Sequence, residues 1–94
     1  MKLEKLLENV NVLECTADPE CEITGVSYNS KLTQPGDAFV AIKGLTVDGH
    51  KYIPMAAEKG AAAVICSEVP EYDIPYVLTD DCRRALALIS GNFY

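Results

Sequence analysis

The sequence lacks the cysteine and histidine patterns that are typical of metal sites. No two of its four cysteines are spaced C-x-x-C, and its one histidine, His50, cannot complete a cysteine–histidine zinc set close in sequence. We therefore expect no metal ligands. We expect four reduced thiols that act as small apolar side chains, with two disulfides as the alternative. The cysteines are Cys15, Cys21, Cys66 and Cys82.

Segments for membrane crossing or secretion are also missing. No apolar run approaches the ~18–20 residues that cross a bilayer. The charges of Lys2, Glu4 and Lys5 are unlike the start of a signal peptide. Basic residues are few, with 8 Lys and Arg against 14 Asp and Glu, and the formal net charge is −6. This balance argues against nucleic acid and anionic membranes as partners, although backbone amides and local lysines can still hold a phosphate. We predict a cytoplasmic protein.

Catalytic motifs are not recognisable in the sequence. It contains neither G-x-x-x-x-G-K-[ST] nor G-x-G-x-x-G, so it has no recognisable site for ATP or a dinucleotide. We interpret the lone His50 as a solvated residue of a loop or helix start. The pair Asp80 and Asp81 precedes a helical pattern, and we interpret it as helix-start charge rather than as an acid–base pair. We expect no catalytic residues in this chain.

What the sequence does contain is the pattern of one small α/β domain. Apolar spacing predicts helices over residues 3–10, 53–59 and 82–89 and strands over 22–28, 38–42, 61–66 and 76–78. The solid apolar run at 38–42 predicts a strand that is covered on both faces. Strands interleaved with helices predict a small mixed sheet with about three helices packed on it.

Small polar residues and glycines cluster between the first two predicted strands. Ser27, Asn29 and Ser30 close the first strand, and Gly44 and Gly49 bracket the loop that leaves the second. Hydroxyls and free amides at neighbouring strand ends can hold a phosphate oxygen or the edge of a base. By composition alone this is a weak signal, and the formation of turns is the favoured interpretation of the cluster.

Four strings of residues, in order, carry a resemblance to a known family. They are G-V-S-Y-N-S-K at 25–31, P-G-D-A-F-V-A-I-K-G at 35–44, D-G-H-K-Y-I at 48–53 and A-E-K-G-A at 57–61. Together they resemble the N-terminal domain of the Mur ligases, which build the peptide stem of peptidoglycan, over nearly all of residues 1–94. The tail, D-C-R-R-A-L-A at 81–87 with F-Y at 93–94, resembles the MurE type, which adds the third residue of the stem.

The resemblance implies that residues 1–94 form one UDP-substrate-binding domain, with the central ATP-binding and C-terminal domains outside this chain. It implies a bacterial cytoplasmic ligase that adds meso-diaminopimelate or L-lysine to UDP-N-acetylmuramoyl-L-Ala-D-Glu through an acyl phosphate. The implied partners are that substrate and the central domain of the same chain. ATP and Mg²⁺ are implied for the full-length ligase, and no cofactor for this domain. Two alternatives stay open: the N-domain of the ligase that adds D-Ala-D-Ala, and a free-standing non-catalytic binding module.

The resemblance also implies site residues. Ser30 matches the family serine that contacts the diphosphate, and Tyr28 occupies a position that lines the uridine site. The loop that contacts uracil, partly through its backbone, corresponds to Leu45, Thr46 and Val47. The family commonly has Asp-Ser-Arg where this chain has N-S-K at 29–31. We therefore expect an Asx-type hydrogen bond from the asparagine, but no salt bridge across the motif.

Overall fold

The computed structural model describes residues 1–44, 48–71 and 73–94. Three α-helices and five β-strands are present in these residues, together with two 3₁₀ turns. In chain order they are α1 (Leu3–Leu6), β1 (Val12–Cys15), β2 (Gly25–Ser27), the first 3₁₀ turn (Ser30–Leu32), β3 (Asp37–Val40), the second 3₁₀ turn (Gly49–Tyr52), α2 (Ile53–Glu58), β4 (Ala63–Cys66), β5 (Tyr76–Thr79) and α3 (Cys82–Phe93).

The five strands form one mixed sheet in the order β1–β5–β4–β3–β2. Strands β2 to β5 are parallel and lie side by side in chain order, whereas β1 pairs antiparallel with β5 at the edge. This architecture confirms the predicted α/β fold with a mixed sheet and three helices. Because β2 to β5 run the same way, their carboxyl ends meet at one edge of the sheet, which is where open α/β sheets bind their ligands.

Helices cover both faces of the central strands. On one face, Ala38 and Val40 of β3 and Ile65 of β4 are buried in the cluster that also holds α1 and α3. On the other face, Phe39 and Val64 pack in the cluster that holds α2. All four residues of β3 and all four of β4 are buried. The solid apolar run at 38–42 therefore indicated correctly a strand that is covered on both sides.

Two turns follow the predicted chemistry closely. The N–H of Asp37 donates to the carbonyl of Gln34 (3.1 Å), and Gly36 has φ +87°, which together fit a type II turn with Pro35 at its second position. Helix α2 carries a proline in its first turn. It is followed by Gly60, which has φ +94°. Its backbone therefore takes the left-handed form that glycine commonly supplies just after a helix.

The structure departs from the predicted elements in several places. Helix α3 continues to Phe93, beyond the predicted end at residue 89. The first helix was predicted to reach residue 10, but α1 ends at Leu6, and Asn9 turns the chain with φ +69°. The strand predicted over 22–28 is reduced to β2. Strand β1 was not predicted at all. Its four residues are all exposed, so it lacks the apolar alternation that marks a half-buried strand; its pairing with β5 comes from tertiary structure.

The predicted helix start at α3 is confirmed. The side chain of Asp81 accepts hydrogen bonds from the N–H groups of Arg83 and Arg84, both at 3.1 Å. Cys82 and Cys66 are buried, and burial raises the pKa of these thiols to about 11 and about 12. Both stay protonated at neutral pH and are not activated nucleophiles.

The expectation of apolar, buried cysteines is wrong for Cys15. This residue lies on the exposed edge strand β1, and Cys21 is half-buried. All four cysteines carry free thiols in the structure. Among the described residues, none of the helices has the length and apolar character that crossing a bilayer requires.

Candidate functional site

A cleft of about 350 Å³ opens at the carboxyl ends of β2 and β3. We call it the β2–β3 cleft. The residues that follow β2 form one wall, and the residues that follow β3 and begin the second 3₁₀ turn form the other. The described residues that line it are Tyr28, Asn29, Ser30, Lys31, Phe39, Ile42, Gly44, Gly49 and Tyr52.

The first wall is a tight turn around Ser30. We call residues 29–33 the Ser30 turn. The side-chain oxygen of Asn29 accepts a hydrogen bond from the N–H of Lys31 (3.0 Å). The backbone carbonyl of Asn29 accepts a second one from the N–H of Leu32 (3.0 Å). This confirms the expected Asx-type hydrogen bond. Ser30 is only 6% exposed, and its hydroxyl has no hydrogen-bond partner among the described residues.

The structure brings Tyr28 and Ser30 together at the β2–β3 cleft. Tyr28 is 67% exposed, so most of its ring faces solvent beside the cleft. Tyr52 is a second exposed aromatic residue of the lining, which also includes the buried Phe39. Exposed aromatic rings beside a polar turn can pack against a flat heterocycle while the turn binds its polar substituents.

The second wall is held by a close approach between two backbone segments. The N–H of Gly49 donates to the carbonyl of Ile42 (2.7 Å), and Lys43 pairs with Asp48 as an antiparallel bridge. A Cβ on Gly49 would lie 2.6 Å from the backbone nitrogen of Ile42, so only glycine fits there. The predicted uracil contacts Leu45, Thr46 and Val47 lie outside the described residues, although Gly44 and Gly49 on either side of them line the cleft.

His50 ties this second wall to the end of β4. Its Nδ1 lies 2.7 Å from Oδ1 of Asp48, and its Nε2 accepts a hydrogen bond from the N–H of Ser67 (3.0 Å). Because Nε2 accepts, the neutral ring carries its proton on Nδ1 and donates it to Asp48. The structural interpretation of His50 at a helix start stands, but the expectation of a solvated ring is wrong, since the side chain is only 10% exposed.

Asp48 is bound twice by His50. The N–H of His50 donates to Oδ1 of Asp48 at 3.0 Å, in addition to the contact from the ring. The backbone hydrogen bond is the main cause that lowers the pKa of Asp48 below its usual value, and the His50 ring and Lys43 act in the same direction. The carboxylate is therefore charged at neutral pH and secures the turn.

The same residues offer a possible metal cluster, but their chemistry does not fit one. Asp48, His50 and Glu68 each present a ligand atom, and these atoms lie within 4.8 Å of one another. Both ring nitrogens of His50, however, already have partners in the protein. A metal ion would have to displace the Ser67 or the Asp48 hydrogen bond. The chain also has no P-loop, so its residues do not fit ATP with Mg²⁺.

The electrostatic character of the β2–β3 cleft is set by Lys31. It is the single charged side chain among the described lining residues. The residue that follows α2, Lys59, holds the backbone of Lys31: Nζ of Lys59 donates to the carbonyl of Lys31 (2.8 Å). A hydroxyl, an amide and one ammonium group at strand ends form a suitable environment for an anionic oxygen.

Sequence reasoning missed three lining residues, Phe39, Ile42 and Tyr52. Phe39 and Ile42 belong to the apolar run that predicted β3, and nothing in that run distinguishes a residue at the cleft from one in the core. Tyr52 follows the D-G-H string at 48–50, so its place in the ordered match was a usable signal.

Comparison with known proteins gives one family. A family model described as "Mur ligase family, catalytic domain" matches residues 22–94. Among curated proteins, the chain is 42% identical over 95 residues to the UDP-N-acetylmuramoyl-L-alanyl-D-glutamate–2,6-diaminopimelate ligase of Bacillus licheniformis. It is 39% identical over 97 residues to the protein of the same name from Phocaeicola vulgatus. Each match covers 100% of this chain and 20% of the relative. The chain thus spans about a fifth of the length of these relatives.

Solved structures share the fold. The D-alanyl-D-alanyl-adding ligase of Acinetobacter baumannii, MurF, superposes with a TM-score of 0.80 over 97% of this chain and 21% of its own. At 22% identity this likeness shows the fold alone. The MurF ligase of Thermotoga maritima, solved in complex with ADP, is 32% identical, with a TM-score of 0.61 over 74% of this chain and 16% of its own.

Proposed function

Because this chain belongs to the Mur ligase family, we propose that residues 1–94 are the domain that holds the UDP end of the substrate in a ligase of peptidoglycan synthesis. The proposed substrate is UDP-N-acetylmuramoyl-L-Ala-D-Glu. The proposed reaction adds the third residue of the stem, meso-diaminopimelate or L-lysine, in the bacterial cytoplasm. Relatives that carry the name of the diaminopimelate-adding enzyme, at 39–42% identity over the whole of this chain, support this type.

The observation that carries the proposal is the β2–β3 cleft. Ser30 presents a hydroxyl with no partner among the described residues, Lys31 brings the charge, and both lie at the carboxyl edge of a parallel sheet. We assign the diphosphate to Ser30 and Lys31 because a charged acceptor gains most from a hydroxyl and an ammonium group. Tyr28 then flanks the uridine, and residues 45–47 are proposed to contact uracil, partly through their backbone.

The chemical step is proposed to take place outside this chain. ATP and Mg²⁺ would be held by the central domain of the complete protein, since residues 1–94 contain no P-loop. The role of this domain would then be to bind one end of the substrate so that the D-Glu carboxylate reaches the reacting phosphate. Its contribution to the rate is one of positioning.

The dipeptide-adding ligase has the same domain fold, and the solved relatives of that kind match this chain. An assay with the complete protein separates the two activities. Third-residue addition requires UDP-N-acetylmuramoyl-dipeptide with diaminopimelate or lysine, whereas dipeptide addition requires the tripeptide form with D-Ala-D-Ala. We expect activity only with the first pair of substrates. Activity only with the second would assign the chain to the MurF type.

The Ser30 assignment is tested by Ser30→Ala in the complete protein. Removing a hydrogen bond to a charged group costs about 1.5–3 kcal/mol, so we expect the KM for the UDP substrate to rise roughly 10- to 100-fold. Ser90→Ala is the matched control, because Ser90 lies on α3 and is not one of the residues that line the cleft. We expect its KM to equal that of the wild type. An unchanged KM for Ser30→Ala would refute the assignment.

A further inference from the structure

A buried pair of hydroxyls lies beneath the Ser30 turn. Ser27, at the end of β2, is 8% exposed, and Thr33, at the end of the turn, is 4% exposed. Their oxygen atoms are 3.0 Å apart. Oγ1 of Thr33 also lies 3.2 Å from the carbonyl of Asn29. A carbonyl can only accept, so Thr33 donates its one proton to Asn29, and Ser27 must donate to Thr33.

Thr33 therefore joins both ends of the Ser30 turn to the sheet. Its N–H donates to the carbonyl of Ser30 (3.4 Å), while its hydroxyl holds the carbonyl of Asn29. Ser27 anchors this chain of hydrogen bonds because it is paired in parallel register with Phe39 of β3. Phe39 itself lines the β2–β3 cleft. The hydroxyl pair thus sets the position of one wall of the cleft relative to the strand that supports the other.

We infer that Thr33 is a positioning residue for nucleotide binding, acting through Asn29 and Ser30 without lining the cleft itself. This inference rests on the proposed function. Loss of the Thr33 hydroxyl leaves the buried Ser27 hydroxyl without its acceptor. It also removes one of the two hydrogen bonds to the Asn29 carbonyl, which keeps only the bond from the N–H of Leu32. The turn then loses its side-chain link to β2, and Ser30 is held less firmly where the diphosphate is bound.

The test uses the complete protein and begins with three variants of two buried threonines. Thr33→Val keeps the shape and removes the hydroxyl, Thr33→Ser keeps the hydroxyl, and Thr79→Val is the matched control. Thr79 is also a buried threonine, 2% exposed, but it lies on β5 and is not one of the residues that line the β2–β3 cleft. The measurements are kcat, KM for the UDP substrate and KM for ATP, together with the melting temperature.

We expect Thr33→Val to raise the KM for the UDP substrate about 5- to 20-fold, with kcat and the KM for ATP within about twofold of the wild type. Thr33→Ser should restore the KM to within about threefold of the wild type, since the hydroxyl is retained. Thr79→Val should lower the melting temperature but leave every KM unchanged. Ser27→Ala should also raise the KM for the UDP substrate. In the double variant, the free-energy change calculated from this KM should be smaller than the sum of the changes in the two single variants.

Three results would overturn the inference. If Ser30→Ala raises the KM for the UDP substrate and neither Thr33→Val nor Ser27→Ala does, the positioning role is wrong and the proposed function stands. If none of these variants changes the KM, the proposed function fails as well. If Thr79→Val raises the KM as much as Thr33→Val, general loss of stability accounts for the effect. Ser27→Ala and Thr33→Ser keep the test decisive if Thr33→Val does not fold.

Discussion

Among the clefts at the carboxyl edge of the sheet, two differ clearly in charge. The β2–β3 cleft has Lys31 as the single charged side chain among its described lining residues. A second cleft of about 260 Å³ lies between the end of β5 and the start of α3, and we call it the β5–α3 cleft. It is lined by two aspartates, Asp80 and Asp81, and one arginine, Arg84.

The difference shows how similar positions in one fold take different roles. At the β5–α3 cleft the acidic side chains already bind groups of the protein: Asp81 caps α3, and Asp80 accepts a hydrogen bond from the Thr79 hydroxyl of β5 (3.4 Å). At the β2–β3 cleft the Ser30 hydroxyl is free of partners among the described residues, and the local charge is positive. A diphosphate is attracted to the second environment and repelled by the aspartates of the first.

The largest expected effect comes from the backbone contact at Gly49. In Gly49→Ala the new Cβ would lie 2.6 Å and 2.8 Å from the backbone nitrogen and oxygen of Ile42, so the second wall must move. We expect the KM for the UDP substrate to rise about 100-fold and the free energy of unfolding to fall by about 1–3 kcal/mol. Steady-state kinetics and urea denaturation provide the two measurements.

Gly91→Ala is the matched control for this prediction. Gly91 lies in α3, and a Cβ there would meet no atom within 4 Å. Alanine favours the helix more than glycine does, so we expect the free energy of unfolding to rise by up to about 1 kcal/mol and the KM for the UDP substrate to stay unchanged. Equal KM values for the Gly49→Ala and Gly91→Ala proteins would show that the second wall does not take part in binding the UDP substrate.

Charge reversal compares the two clefts directly. Lys31→Glu places a carboxylate where we assign the diphosphate, and we expect the KM for the UDP substrate to rise about tenfold at low salt and less at high salt. Arg84→Glu makes the same change in the β5–α3 cleft and should leave the KM unaltered. If the Arg84 variant is the one that loses affinity, the assignment of the two clefts must be exchanged.

Removal of the α3 cap should affect stability alone. Asp81→Ala deprives the N–H groups of Arg83 and Arg84 of their acceptor, so we expect the free energy of unfolding to fall by about 1 kcal/mol. Chemical denaturation measures this change, and the KM for the UDP substrate should stay at the wild-type value. A rise in KM without loss of stability would show that the β5–α3 cleft participates in binding.

The smallest expected effect is the pH dependence of the Asp48 contact. The pKa of Asp48 is lower in the folded chain, chiefly because the N–H of His50 donates to its carboxylate. The carboxylate of Asp48 therefore binds a proton more readily in the unfolded state than in the folded state. Its contribution to the free energy of unfolding is complete above the usual aspartate pKa of about 3.9, and it is lost as the pH falls through the lowered pKa of the folded state. The difference in the free energy of unfolding between the wild type and Asp48→Asn should become smaller as the pH is lowered from 6 to 3. A constant difference over that range would contradict the assigned contact.

The features predicted well from the sequence are those with a local physical cause. The run at 38–42 indicated a strand covered on both faces, Pro35 and Gly36 indicated their turn, and Asp81 indicated a helix start. Each depends on the residue itself and its immediate neighbours.

The features missed depend on distant parts of the chain. Strand β1 is exposed and exists through its pairing with β5, which no local pattern reveals. The enclosure of the His50 ring depends on Ser67, 17 residues further along. Within the candidate site, Tyr28 and Ser30 line one cleft, and their proposed roles came from the resemblance. The hydroxyl pair beneath them had no signal in composition or spacing.

The central claim is that the UDP end binds in the β2–β3 cleft. A crystal structure of the complete protein with UDP-N-acetylmuramoyl-L-Ala-D-Glu tests it most directly. We predict density for the diphosphate within hydrogen-bond distance of the Ser30 hydroxyl, with the uracil between Tyr28 and Gly49. Nucleotide density in the β5–α3 cleft, beside Asp80 and Arg84, would contradict the account.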